Sequence, residues 1–115
     1  CCDMLNFDVL VQRGGSVNAL IAKYCKYTGG EAYKVPEHSN RLGFFCYNID
    51  HVSGGIWLSE RASFGTITHE THHAVHDILP RKGIRHNKST EEIFAYTQQF
   101  LVNEITAKLF GWRRP

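Results

Sequence analysis

Apolar residues recur at the spacing of an α-helix in three stretches of the chain. The first covers residues 16–27, begins at an N-capping serine and stops at a pair of glycines. The second covers residues 67–79, and Pro80 is expected to end it because a proline pushes the residue before it out of helical geometry. The third covers residues 91–110 and follows a Ser-Thr pair that suits an N-cap. These three stretches are the predicted helices.

Shorter runs rich in β-branched and aromatic residues predict strands at residues 5–11, 42–48 and 55–60. The last two runs are separated by D-H-V-S-G-G, whose residue types favour a turn. The chain contains no repeat and no long linker. This order predicts a single α+β domain, residues 1–115, in which a small, mostly antiparallel sheet precedes the two C-terminal helices.

The second predicted helix has an apolar face and a histidine face. At about 100° per residue, its core face contains Ile67, Ala74, Val75 and Ile78. The opposite face contains His69, His72, His73 and His76. The last helix has the apolar stripe Ile93, Phe94, Leu101, Val102, Ile105 and Leu109. Packing of the apolar face would therefore leave the histidines on the outside.

Composition narrows the possible functions. A net charge of +2 is too small to indicate a nucleic-acid or membrane surface, and no apolar run reaches the ~18 residues of a membrane span. The basic residues are expected to lie in a solvated loop and tail; they are Arg81, Lys82, Arg85, Lys88, Arg113 and Arg114. The four cysteines form no C-x-x-C pair, which favours free thiols and a cytoplasmic location. The chain begins at Cys1 rather than methionine, so a segment upstream is expected to be missing.

The most informative motif is H-E-T-H-H, which begins at His69. His69 and His73 are four residues apart, so their imidazoles project from adjacent turns and can reach one tetrahedral zinc ion. Glu70 is rotated by about 100° from His69 around the helix axis and lies beside the metal. A carboxylate there can accept a proton from a metal-activated water and deliver it to a leaving group. This division of roles is the content of the H-E-x-x-H motif.

A catalytic zinc ion takes a third protein ligand and keeps one position open. The metzincin spacing fails because the residue six positions after His73 is Leu79. The remaining candidates are His86 in the basic loop and Glu91 or Glu92 at the start of the last helix. We expect Glu92 to be the ligand, with Glu91 in reserve.

A competing interpretation of Glu92 is structural, because Ser89 and Glu92 have the S-x-x-E spacing of a capping box. His72 and His76 repeat the i, i+4 spacing without a glutamate at the equivalent place. We expect these two histidines to lie on plain surface, with support of the metal site or contact with substrate as the alternative.

The segments G-I-W-L-S-E, T-H-E-T-H-H and E-I-F-A-Y together resemble a minimal gluzincin metallopeptidase, such as the ImmA/IrrE-like peptidases and small phage or prophage proteins. The resemblance covers residues 55–102. It implies zinc on His69, His73 and Glu92, with Glu70 as general base. It also implies that residues 55–60 are an edge strand that pairs with an extended peptide substrate.

Two departures weaken the link to the repressor-cleaving members of that group. His72 replaces the usual glycine before the second histidine, and Tyr96 replaces a common asparagine. Tyr96 is expected to be a packed residue, with stabilisation of an oxyanion as the alternative.

These patterns leave three functional hypotheses. The first is a zinc-dependent peptidase that acts on a peptide or protein substrate. The second is a zincin-shaped protein that binds a partner, with its metal but without turnover. The third is a DNA-associated zinc protease of the SprT type with His86 as third ligand, supported only by the basic loop around that histidine.

Overall fold

Two pairs of strands with one helix between them form the first part of the fold, and two long helices follow. The computed structural model describes residues 2–5 and 7–112. Its elements are β1 (Cys2–Leu5), β2 (Val9–Arg13), α1 (Val17–Thr28), β3 (Gly43–Asn48), β4 (His51–Leu58), α2 (Phe64–Arg81) and α3 (Glu91–Leu109). The predicted α+β class is confirmed, as is the order in which the strands precede the C-terminal helices.

The strands form one mixed sheet in the order β1-β2-β4-β3. The pairs β1–β2 and β3–β4 are antiparallel, whereas β2 and β4 are parallel. The single strand predicted at residues 5–11 was wrong, because the chain reverses there into the β1–β2 hairpin. The reversal includes Asp8 at φ 57°, a left-handed conformation that aspartate tolerates better than most residues.

The turn predicted from D-H-V-S-G-G includes only the first residue of that segment, Asp50, since β4 begins at His51 and includes both glycines. Close packing explains why glycine occupies both positions. A Cβ on Gly54 would lie 2.8 Å from Phe45 Cε1, and one on Gly55 would lie 2.7 Å from Cys46 Sγ. Glycine is required here because neighbouring side chains occupy the space, not because the chain turns.

Residues 55–60 do not form an edge strand, which corrects the expectation drawn from the family resemblance. Gly55 pairs with Leu10 on one side and with Cys46 on the other, and Leu58 is flanked in the same way by Arg13 and Gly43. Both hydrogen-bonding edges of this segment are therefore occupied within the sheet. The strand that borders the sheet on this side is β3.

The two faces of the sheet are covered by different helices. Helix α1 packs on one face, in a cluster that includes Leu20, Ile21 and Trp57. Helices α2 and α3 pack on the other, in a larger cluster that includes Ile56 and Ile78. The predicted core face of α2 is confirmed, because Ile67, Ala74, Val75 and Ile78 are all buried. The predicted stripe of α3 is confirmed except at Ile93, which is 44% exposed.

Helix α2 continues through Pro80 and ends at Arg81, two residues later than the proline rule suggested. Gly83, at φ 90°, reverses the chain: its N–H donates to the Pro80 carbonyl, while the Ile84 N–H donates to the Leu79 carbonyl. This pair of bonds is the Schellman motif that commonly closes a helix.

Arg81 was expected in a solvated loop but is half-buried and fixes α2 to the β3–β4 hairpin. Its guanidinium donates to the carbonyls of Asn48, His51 and Ser53 at 2.7–3.0 Å and to the Asp77 carboxylate at 2.6 Å. Arg113 and Arg114 lie outside the described residues.

The free-thiol prediction is confirmed for Cys25 and Cys46, which are both buried and unbridged. Burial raises the pKa of the Cys46 thiol to about 12. Cys1 lies outside the described residues, as does the side chain of Cys2.

We expect Gly55→Ala to lower the free energy of unfolding by about 1–3 kcal/mol, because its Cβ would overlap Cys46 Sγ. Gly65→Ala is the matched control, since a Cβ there meets only Ser63 Oγ at 3.6 Å in a helix. Urea unfolding measures both variants. Equal stability of the two would contradict the packing account of the β4 glycines.

Candidate metal centre

Helix α2 carries the centre, and its N-terminus fixes where the motif falls. The Ser63 hydroxyl accepts from the Thr66 N–H at 3.2 Å, and the Thr66 hydroxyl accepts from the Ser63 N–H at 3.3 Å. This capping box starts the helix at Phe64, so the motif begins in its second turn. Burial of the apolar face against the sheet then turns the histidine face outward, as predicted.

One ring nitrogen of His69 lies close to one ring nitrogen of His73. Their Nε2 atoms are 3.2 Å apart, and the two rings are 82° from coplanar. Two nitrogens bound at about 2.0–2.1 Å to one tetrahedral zinc ion would be ~3.3 Å apart. The pair therefore has the spacing that a zinc ion requires, and both side chains are exposed to solvent.

The protonation of His73 also favours a ligand role. Partial burial lowers the pKa of His73, and the positive charges that His69 and His72 can carry lower it further. A lower pKa keeps the imidazole neutral at physiological pH, and the neutral form is the one that binds a metal.

Glu70 completes a cluster with the two histidines. One donor atom from each of His69, Glu70 and His73 lies within 4.8 Å of the others, a group able to hold a metal ion. Glu70 is only 7% exposed, unlike the histidines. Burial raises the pKa of its carboxyl group, and His69 opposes that shift. A buried carboxylate with a raised pKa is a stronger proton acceptor than one in water.

The first residue of β3 makes room for Glu70. A Cβ on Gly43 would lie 2.7 Å from Glu70 Oε2, 2.8 Å from Glu70 Cγ and 3.0 Å from Thr66 Cγ2. A side chain at this position would displace the Glu70 and Thr66 side chains or the strand. Gly43 was not among the residues predicted for the site, although a lone glycine in a strand pattern is a known sign of close approach.

Phe45, two residues along β3, supports the second histidine. Its ring stacks on His73 at 6.1 Å between centroids and 20° between planes, and it also stacks on Tyr47. The edge strand thus contributes a space for the carboxylate and an apolar surface for one imidazole. The sequence predicted strand β3 but not its contact with the motif.

The structure does not bring Glu92 into the cluster of His69, Glu70 and His73. Phe94 lies beside His76, and the Gln98 side chain donates to the Thr68 carbonyl at 3.0 Å, so α3 runs antiparallel to α2. Glu92 therefore lies level with the C-terminal half of α2, where its side chain is exposed. Its role as third ligand stays a prediction.

The competing capping-box interpretation of Glu92 is not supported. The N-cap of α3 is Thr90, and it makes no side-chain capping bond. Ser89 instead donates through its hydroxyl to Asn87 Oδ1 at 2.7 Å. Glu91 is exposed like Glu92, and Tyr96, expected to be packed, is 65% exposed.

Of the other histidines of α2, His76 contacts His86, whereas His72 lies near both His76 and His73 of the motif. The rings of His72 and His76 are 4.1 Å apart, and those of His76 and His86 are 5.0 Å apart. Burial lowers the pKa of His76, as do the neighbouring His72 and His86. The structure thus separates His86 from the site that the third hypothesis assigned to it.

Comparison with known proteins does not identify this centre. No family model, curated protein or solved structure matches the chain. Along the described residues, none of the helices is apolar over a run long enough to cross a bilayer.

We expect Gly43→Ala to lower the free energy of unfolding by about 1–3 kcal/mol, because its Cβ would overlap the Glu70 side chain. In a Glu70→Ala background most of that cost should vanish, which gives a coupling energy of at least ~1 kcal/mol in a urea-unfolding cycle.

Gly54→Ala serves as the control for this cycle, since a Cβ at that position meets Phe45 and not Glu70. Gly54→Ala should lower the free energy of unfolding by the same amount with or without the Glu70 substitution. If Gly43→Ala lowers the free energy of unfolding equally with and without the Glu70 side chain, the close approach of β3 to the carboxylate is refuted.

Proposed function

We propose that this chain is a zinc-dependent peptidase. The observation that carries the proposal is the 3.2 Å separation of His69 Nε2 and His73 Nε2, with the buried Glu70 carboxylate in the same cluster. Two imidazoles at zinc spacing beside one buried acid supply two of the three ligands and the base that metal-assisted hydrolysis uses. A surface cluster of histidines without chemistry would not need the acid to be buried.

His69 and His73 hold the metal in this mechanism, and Glu70 moves the proton. When bound, a zinc ion supplies Lewis-acid chemistry: it lowers the pKa of a coordinated water to ~7 and polarises a carbonyl oxygen. Glu70 accepts the proton of the attacking water and delivers it to the departing amide nitrogen. The raised pKa of Glu70 suits it to both transfers, because a proton carrier works best when its pKa is near the working pH.

The substrate would lie along β3 as an extended peptide. This strand forms the edge of the sheet beside the centre, and its Gly43 and Phe45 contact Glu70 and His73. A peptide paired with the outer edge of β3 would place a backbone carbonyl near the histidine pair. This assignment replaces residues 55–60 as the substrate-binding strand.

Glu92 remains the proposed third ligand, with Glu91 as the alternative, because His86 lies beside His76 and outside the cluster. Glu92 is exposed, belongs to the first turn of α3 and has no capping bond to Ser89 to explain it. It would have to approach the histidine pair by a movement of the start of α3 toward the centre.

A metal-binding protein without turnover is the second candidate. The observation that favours it is the position of Glu92 outside the cluster, which leaves two histidines and Glu70 as the grouped donors. If Glu70 itself binds the metal, no base remains for hydrolysis. The following experiment separates this candidate from the first.

We expect Glu70→Gln to retain zinc while its hydrolysis of unfolded protein falls by about 10²–10⁴-fold, because glutamine cannot accept the proton. Native mass spectrometry reports the zinc, and release of peptides from reduced casein reports the hydrolysis. His38→Ala, an exposed histidine outside the cluster, should change neither. Casein cleavage that survives Glu70→Gln would exclude the peptidase mechanism, and loss of zinc in that variant would make Glu70 a ligand.

We expect Glu92→Ala to weaken zinc binding by more than tenfold, since loss of a ligand should exceed the ~10-fold minimum seen when an outer partner of a ligand is removed. Glu91→Ala is the matched control in the same helical turn. Competition with a chromophoric zinc chelator measures both affinities. A loss in Glu91→Ala alone would transfer the ligand role to that residue.

A further inference from the structure

A second group of histidines lies outside the cluster that contains Glu70. It consists of His72 and His76 on α2 and His86 in the loop between α2 and α3. Their ring centroids are 4.1 Å apart for the first two and 5.0 Å apart for His76 and His86. From these residues we propose a second metal site, which takes a divalent transition-metal ion such as zinc.

The helical half of this site repeats the residue spacing of the first, although its two rings are inclined by 32° rather than 82°. His72 and His76 have the same i, i+4 spacing as His69 and His73. Their centroids are closer, at 4.1 Å compared with 4.7 Å. Among the described residues, no protein group hydrogen-bonds to the ring nitrogens of His72, His76 or His86, whereas His51 and the first pair do make such bonds. These nitrogens are available to a ligand.

The loop half of the site is held in place by Thr90. The residues on either side of His86 both hydrogen-bond to the Thr90 side chain. The Asn87 N–H donates to the Thr90 hydroxyl at 3.0 Å, and that hydroxyl donates to the Arg85 carbonyl. Phe94 of α3 lies under both rings, 5.0 Å from His76 and 4.7 Å from His86. His86 is therefore positioned over α2 before any metal binds.

The three rings must reorient before their nitrogens can converge on one ion. Their donor atoms are not as closely grouped as those of the first cluster, which all lie within 4.8 Å of one another. His72 and His86 are exposed at either side of the half-buried His76, so a change of ring orientation in either is cheap. Three imidazoles without a thiolate or carboxylate suit zinc, copper(II) or nickel(II). Such an ion would fasten the loop of residues 82–90 to α2.

The positive charges of the loop determine which of the two metal sites binds zinc first. Lys82, Arg85 and Lys88 are exposed in the same segment as His86, and they disfavour a cation. The first cluster contains the Glu70 carboxyl group, and its H-E-T-H-H motif has no lysine or arginine to repel a cation. Zinc should therefore fill the His69–His73 site first and the site at His86 second.

Stepwise zinc titration of the full chain, followed by native mass spectrometry, tests the proposal. We expect two zinc ions on the wild-type protein and on His38→Ala. We expect one ion on His86→Ala and one on the double variant His69→Ala/His73→Ala. The second dissociation constant should rise by more than ~10-fold in His86→Ala. Because each site has its own variants, failure of one leaves the result for the other intact.

His86→Phe separates a metal ligand from a ring that merely packs. Phenylalanine can preserve the edge-on contacts with His76 and Phe94 but offers no nitrogen, so the second ion should be lost here too. Hydrogen exchange supplies a second readout, since zinc should slow exchange of residues 82–90 in the wild type and not in His86→Phe. Wild-type protein that saturates at one ion, or a second ion retained by His86→Phe, would overturn the proposal.

Discussion

The packing of α2 against the sheet is the constraint on which the rest of the structure depends. Ile67, Val75 and Ile78 are fully buried on one side of this helix, and each such side chain contributes about 1.5–3 kcal/mol to the hydrophobic driving force. Rotating the helix by a single residue, about 100°, would expose these side chains and bury charged or polar groups. The apolar face therefore fixes the outward direction of all four histidines, and no metal is needed to orient them.

The same packing requires that the sheet come close to the helix, and glycines in the strands make this possible. Gly43 leaves room for Glu70, and Gly54 leaves room for Phe45, whose ring then stacks on His73. The buried acid and the supported imidazole thus both follow from strand positions that lack a side chain. Arg81 fastens the far end of α2 to the β3–β4 hairpin, so the distance between helix and edge strand is set at both ends.

Local periodicity was sufficient to predict the three helices, the histidine face of α2 and the spacing of His69 with His73. It was insufficient wherever long-range packing decides. The glycines before Ile56 suggested a turn, but they are strand residues because Phe45, Cys46 and Tyr24 occupy the space that a Cβ would need. The edge strand was misassigned because strand order is a tertiary property, and the neighbours of Glu92 depend on how α3 crosses α2.

The most direct test of the metal centre is a crystal structure of zinc-loaded protein with diffraction measured on both sides of the zinc absorption edge. The account predicts an anomalous peak about 2.0–2.1 Å from Nε2 of both His69 and His73. Glu70 should then lie beside the ion, against Gly43. Absence of a peak at this position, with zinc present in the crystal, would show that the histidine pair is a polar helix face and would remove the basis of the proposed peptidase.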